Sequence, residues 1–391
     1  MSRELFNLNP DLKHLRDEGY FAQIQGGLLL VREVPYVDSN RCVRRGTLVS
    51  SLNMAGNKTQ KPETHQVWFD GEFPCFANGT PIKAIANQTG NFPLANGMTA
   101  KHHFSSKPDG GYTDYYHKMT TYAGVISGPA AEIEPGATPR VYREPEDEGD
   151  GVFNYIDTAS YRVGIGALSE RLAKETVAII GLGGSGSYVL DLVAKVPVKE
   201  IRLFDGDEFL QHNAFRAPGA PGLEELRDVP RKVEYFRGIY SRMHRNIIAH
   251  PIYLRDDKLP LLDGITFAFL CMDAGEDKKA VVGKLEAIGA SFVDVGMGLE
   301  LNDGSLGGIL RVTASTPEKR DHVHGGRVSF TGGGAEDLYS TNIQVADLNA
   351  LNATLAVIKW KKLRGFYRDV VSEHHCTYTT DGNLLINGDE V

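Results

Sequence analysis

The stretch VAIIGLGGSGSYVLDLVAKVPVKEIRLFD, residues 177–205, constrains the fold of this chain more than any other part of it. VAIIG is an unbroken apolar run of strand length, SGSYVLDLVAKV carries helical spacing as far as Pro197, and EIRLFD reads as a second strand. Strand, helix and strand in that order make a βαβ unit, which sets its two strands parallel. Gly181, Gly183 and Gly186 fall between the first strand and its helix. There the missing Cβ permits a tight turn, lets the backbone approach a phosphate, and leaves the amides of the helix N-terminus aimed at an anion. Asp205 ends the second strand, the place from which an acid bonds ribose hydroxyls in dinucleotide folds. To this point a nicotinamide dinucleotide fits as well as ATP.

The pattern continues downstream. A helix opens near Pro230 with Val233, Phe236, Ile239, Tyr240 and Met243 on one face, and NIIAHPIYL, ITFAFLC and SFVDVG come after it as strands. Strands alternating with helices predict an α/β fold with a Rossmann-like, doubly wound, mostly parallel sheet. A hairpin around Asp303 and Gly304 comes next, then an amphipathic helix marked by Leu348, Leu351, Leu355 and Ile358. Lys359, Lys361, Lys362 and Arg364 at its end read as a solvated cluster complementing the helix dipole.

At 391 residues the chain exceeds one ordinary core, since cores split beyond roughly 250–300 residues. The run REPEDEGDG, residues 143–151, has the composition of an exposed linker. We therefore expect an accessory domain over residues 1–145 and the nucleotide-binding domain over 146–391. GGLLLVREV, HQVWFDGEF and YAGVISG read as strands of a strand-rich α+β accessory domain. Its segment KHHFSSKPDGGYTDYYHK, residues 101–118, gathers His, Ser, Lys and Tyr without a diagnostic spacing.

Charge and composition exclude several classes. With 42 basic against 50 acidic residues the formal charge is -8, which gives neither duplex DNA nor an anionic membrane an electrostatic handle. No apolar run is long enough to span a bilayer, and MSRELFNLNPDLKHL lacks the apolar core of a signal peptide, so a cytoplasmic protein is expected. Cys42, Cys75, Cys271 and Cys376 are scattered with no CxxC, a pattern of reduced thiols that offers a structural zinc no ligand set. His322, His324, His374 and His375 are read as surface or hydrogen-bonded groups.

The residues after the second strand separate the nucleotide candidates. LFDGDEFLQHNAFR, residues 203–216, adds Asp207, Asn213 and Arg216 to Asp205; Lys232 opens the next helix and Asp273 comes just after FAFLC. Asn213 and Arg216 lie just past the second strand and Asp273 follows another carboxyl end, the side of a doubly wound sheet where ligands bind, and with Lys232 they can converge on one crevice. A dehydrogenase keeps its phosphates and needs no such cations. Transfer at a triphosphate needs positive groups and a metal-binding carboxylate against developing charge.

The order GxGGxG, DxDxFxxxNxxR, PxK and CxD resembles the adenylyltransferase domain of the ubiquitin-activating-enzyme superfamily, the ThiF, MoeB and HesA type, over roughly residues 160–366. The resemblance implies that Gly181, Gly183, Gly184 and Gly186 pack against the nucleotide while Asp205 holds the ribose. It implies phosphate contacts from Asn213, Arg216 and Lys232, magnesium on Asp273, and a less defined part for Asp207. Arg162 is the candidate for the family's upstream arginine, which reaches the phosphates from the partner subunit of a homodimer. The reaction implied is ATP- and Mg2+-dependent adenylation of the C-terminal carboxylate of a ubiquitin-like or sulfur-carrier protein. A peptide or small carboxylate is the alternative substrate, and an NAD-dependent oxidoreductase the alternative class.

The chain departs from this family at the step after activation. Relatives often pass the acyl group to a cysteine after the last parallel strands, yet residues 297–375 hold none. The adenylate is then the end product, or the thiol of a conjugating enzyme takes the acyl group, or Cys376 does so from a loosely held tail.

Overall fold

The computed structural model describes residues 2–94, 97–143, 151–155, 157, 166–330 and 343–388. It divides into two compact units, Met1–Glu170 and Arg171–Val391.

The first unit begins with helices α1 (Ser2–Leu8) and α2 (Pro10–Asp17), the latter opened by proline at a position where no backbone N–H is needed. A sheet comes next, built of β1 (Phe21–Gln25), β2 (Leu28–Val37), β3 (Val43–Ser51), β6 (Gln66–Asp70), β7 (Ala86–Pro93) and β8 (Thr99–Ser105), with β4 (Met54–Ala55) and β5 (Lys58–Thr59) as a separate small hairpin. Its order is β1-β2-β3-β6-β8-β7, antiparallel throughout. Helix α3 (Tyr115–Ile133) shares a core with Leu29, Val31, Leu48, Val67 and Phe69 of the sheet.

This helix corrects the strand reading of YAGVISG. Tyr115, Met119, Tyr122, Ala123 and Ile126 are all buried, a spacing of four, three, one and three that lies on one helical face. The Asp114 side chain accepts a hydrogen bond from the His117 amide at 2.7 Å and starts the helix. A short apolar run between glycines carries too few residues to separate the two periods.

In the second unit β9 (Thr176–Ile180), β10 (Glu200–Phe204), β11 (Ile247–His250), β12 (Phe267–Leu270) and β13 (Ser291–Asn302) pair in parallel in the order β11-β10-β9-β12-β13. β14 (Ser305–Ser315), β15 (His375–Thr379) and β16 (Leu384–Asn387) extend that sheet antiparallel from β13. The sheet is therefore mixed, parallel over its first five strands. Helices α4 (Gly184–Val193), α5 (Lys232–Tyr240) and α7 (Ala346–Leu363) join Val177, Ile179, Phe269 and Val293 in one core, while α6 (Glu276–Ala287) joins Ala178, Ile180 and Leu270 in another. With both faces covered, a central strand such as TVAII is buried at every position. Among the described residues no helix is long and apolar enough to cross a membrane.

Chain order and strand order together create the crevice. From β9 the chain steps out to β10 and β11 on one side, then returns to β12 and β13 on the other. Such a reversal opens a gap beyond the carboxyl ends of the two adjacent strands. Ile180 pairs with both Phe204 and Leu270, so the next residues of the three strands, Gly181, Asp205 and Cys271, stand abreast at its edge.

Candidate functional site

A cleft of about 560 Å³ opens at that edge, and Gly181, Gly183, Asp205 and Asp207 line it. Arg216, Lys232 and Asp273 line the same cleft. Residues up to 92 positions apart in sequence are thus gathered by three neighbouring strand ends.

The loop is held in place by close packing. Gly181 has φ +88°, a left-handed conformation, and a Cβ there would lie 2.5 Å from the Cys271 carbonyl oxygen. A Cβ on Gly186 would overlap the Gly181 carbonyl oxygen, so the first turn of α4 sits directly on the loop. Gly183, at the N-cap of α4, has open space where its Cβ would be. Gly184 and Gly186 thus serve packing, while Gly181 and Gly183 border the cleft.

Asp205 is buried and organises the loop. Its Oδ2 accepts from the Leu182 amide at 2.6 Å and its Oδ1 from the Asp207 amide at 2.8 Å. Burial pushes its carboxyl above the usual carboxylate range, against the pull of Lys232 and the two amides. Lys232 is buried, donates to Asp207 Oδ2 at 2.6 Å and lies 3.9 Å from Asp205 Oδ1. The Tyr253 hydroxyl donates to the other oxygen of Asp207. Partial burial pulls the Asp207 carboxyl up, but the bonds from Lys232 and Tyr253 outweigh it and hold the carboxyl below its ordinary value.

Arg216 presents a buried Nε with no hydrogen-bond partner among the described residues. A buried guanidinium N–H left unpaired is costly, and Arg216 is one of the residues that line the cleft. Asp273 stands exposed on the opposite wall, near Glu276 and Asp277. The charged groups lining the cleft are Asp205, Asp207, Asp273, Glu276 and Asp277 against Arg216, Lys232 and Lys278, a formal -2.

The other expected residues fall elsewhere. Asn213 is buried, and its Oδ1 accepts from the Leu210 amide at 2.8 Å, capping the short helix Gln211–Ala214. Arg162 lies outside the described residues. Cys376 lies in β15, opposite Val312 and Asn387, packed against the core of α7 rather than in the cleft. The tail expected to be loosely held is thus a strand of the sheet. His375 beside it is buried, with its Nδ1 2.9 Å from Thr313 Oγ1.

Three contributors escape a reading of the sequence. Asn349 of α7 is buried against the loop: its Oδ1 accepts from Ser185 Oγ at 3.1 Å, and its Nδ2 donates to the Arg216 carbonyl at 3.4 Å. The available signal is its spacing with Asn352, two amides three residues apart on a helix whose core-facing side admits them. The apolar pattern puts Tyr253 inside a strand, but β11 ends at His250 and the tyrosine turns over Gly206 into the cleft. Lys278 lines the cleft from the first turn of α6, ion-paired with Asp294.

The family model described as a domain of unknown function, DUF6791, matches residues 10–158. No curated protein matches the sequence. Among solved structures the chain is similar to MccB of E. coli with ATP, at 15% identity and TM-score 0.43, over 57% of this chain and 66% of that one. It is similar to the microcin C7 biosynthetic enzyme MccB in complex with N-formylated MccA, at 17% identity and TM-score 0.45, over 58% of this chain and 68% of that one. It is also similar to PaaA, at 15% identity and TM-score 0.40, over 56% of this chain and 74% of that one. The chain thus spans just under two thirds of the length of the E. coli MccB chain.

Proposed function

We propose that the chain is an adenylyltransferase that uses ATP and Mg2+ to activate the C-terminal carboxylate of a ubiquitin-like or sulfur-carrier protein. The observation that carries this reading is the meeting of Arg216, Lys232 and Asp273 with the glycine loop and Asp205 in one cleft. A dehydrogenase explains the loop and Asp205 but leaves the other three without a task. Chemically, the difficulty is to bring two anions together, and positioned cations reduce that repulsion without a proton-transfer group. The carboxylate is already ionised near neutral pH.

The donor set fits magnesium bound through the nucleotide. Among the described residues no three His, Cys, Asp or Glu gather to hold a metal on protein ligands alone. Mg2+ characteristically takes one or two carboxylates with phosphate oxygens and water, and Asp273 supplies a hard oxygen on the cleft wall. When bound, the ion offsets phosphate charge that a cleft of formal -2 would otherwise repel. In this reading Asp205 orients the ribose, Arg216 receives phosphate oxygens at its guanidinium, and Lys232 moves from Asp207 toward the phosphates. The carboxylate attacks the α-phosphorus, the bond to the bridging oxygen breaks, and pyrophosphate leaves with that electron pair, giving the acyl-adenylate. We assign the first unit to binding the protein substrate or the acceptor, and expect a homodimer in which Arg162 serves the partner's cleft.

Thermal unfolding with ATP and Mg2+ against NADH, in the wild type and in Asp273→Ala, tests this. A ligand bound only by the folded state at a hundredfold excess over Kd adds about 2.7 kcal/mol. We expect a rise with ATP and Mg2+ that is largely lost in Asp273→Ala. A rise with NADH alone would sink the reading. ATP–pyrophosphate exchange supported by free amino acids, with no protein partner, would replace the protein substrate by a small carboxylate.

A further inference from the structure

We propose that Lys278 is a further anion-binding residue of the cleft, and that Asp294 is the positioning residue that holds it there. The inference rests on the adenylation reading and adds to it a second place where an oxyanion is received.

Lys278 and Asp294 form an ion pair in an apolar setting. Asp294 lies on β13 among Phe292, Val293 and Val295, all buried, and is itself fully buried. Lys278 is 3% exposed, and its Nζ pairs with one oxygen of Asp294. The other oxygen accepts from Arg311 NH2 on β14 at 2.6 Å. Packed apolar side chains commonly do as well as a buried ion pair for stability, so stability alone does not account for this one. The pair fixes one long side chain at one place, and that place is the wall of the cleft that also carries Asp273.

Position relative to the glycine loop then assigns the task. Arg216 and Lys232 come after β10, on one flank of the loop, while Lys278 comes after β12 and is tied to β13, on the other. Among the described residues lining the cleft, Lys278 is the one cation on that second flank. Adenylation brings a polyphosphate and a carboxylate to one point. The cations after β10 serve one stretch of that charge, and Lys278 serves the oxyanion on the flank of β12 and β13. Its source is either the distal phosphates or the incoming carboxylate, and both present the same chemistry to an ammonium group.

Calorimetric binding on the full chain separates the sources, using Mg2+ pyrophosphate, AMP, and a diglycine-terminated peptide added together with AMP. In Lys278→Met, Asp294 keeps Arg311 as its partner, so the variant does not bury an unpaired carboxylate and is expected to fold. It should lose about tenfold or more in affinity for pyrophosphate or for the peptide, with AMP unchanged and Lys278→Arg restoring much of the loss. Loss confined to pyrophosphate assigns the distal phosphates; loss confined to the peptide assigns the carboxylate. Asp294→Asn should reproduce the same selectivity. Should it fail to fold, the two Lys278 variants decide alone. Affinities for all probes within about twofold of wild type in folded Lys278→Met, or an equal loss for AMP, overturn the proposal. A wild type that binds neither Mg2+ ATP nor AMP overturns the adenylation reading instead.

Discussion

Gly186 is placed so that any side chain would press on the Gly181 carbonyl, and that oxygen belongs to a backbone fixed in turn by Asp205 through the Leu182 amide. Nothing flexible is available to give way. Gly186→Ala should therefore cost about 2–3 kcal/mol in denaturant unfolding and abolish nucleotide binding in calorimetry, whereas Gly183→Ala, with open space at its Cβ, should keep the fold. Equal stability of Gly186→Ala and wild type would contradict this geometry. The residues legible in the sequence, from Gly181 to Asp273, are those that belong to compact motifs just after the ends of β9, β10 and β12 or, for Lys232, at the start of α5. Asn349, Tyr253 and Lys278 are not legible, because each reaches the cleft from an element whose local pattern gives no sign of it. Asn213 shows the converse: a matching motif position whose side-chain oxygen caps its own short helix.

At the scale of elements, the hairpin of β13 and β14 is readable because its turn has a chemical signature. Asp303 and Gly304 both have positive φ, +49° and +78°, the pairing that two-residue hairpin turns require. Gly304→Ala places a Cβ in that conformation and should lower stability by about 1 kcal/mol in urea unfolding, with Gly304→Asn costing less. No difference between Ala and Asn would remove the strain argument. Helix α7 is legible in position but not in orientation. Its leucines, Leu348, Leu351 and Leu355, are only partly buried, while Asn349, Asn352, Lys359 and Trp360 are buried. The polar groups are tolerated because the fold supplies partners: Asn352 Nδ2 donates to the Gly296 carbonyl at 3.1 Å and Lys359 Nζ to Asp369 at 3.2 Å. The basic cluster at its end is correspondingly not a solvated one, since Lys362 pairs with Glu373 at 3.0 Å and Arg364 with Glu175 at 3.0 Å. A hydrophobic period reports which residues prefer burial; it carries no information about the distant partners that make burial of the others possible.

For the molecule as a whole, each unit carries a core of its own and a distinct handle on stability. The first unit buries Lys118 completely, with Ser50 Oγ at 2.9 Å as the hydrogen-bond partner found for its ammonium nitrogen. Burial lowers its pKa to about 7, against about 10.4 in an unfolded chain. Between those values the unfolded chain binds the extra proton, so stability rises with pH from about 7 to 10 and is lowest where the lysine is charged in both states. Lys118→Met removes the charge, and by linkage the variant should gain on the order of 5 kcal/mol over wild type at pH 6 and progressively less toward pH 10. In the proposed reading the second unit's response to ATP comes from the cleft at β9, β10 and β12, and Lys118 lies in the first unit. Scanning calorimetry of the full chain should accordingly resolve two transitions. Lys118→Met should move one of them at pH 6, ATP with Mg2+ should move the other, and each change should leave its counterpart in place. A single transition shifted equally by both would mean that the two cores unfold as one cooperative body, and nucleotide binding at the glycine loop would then stabilise the first unit as well.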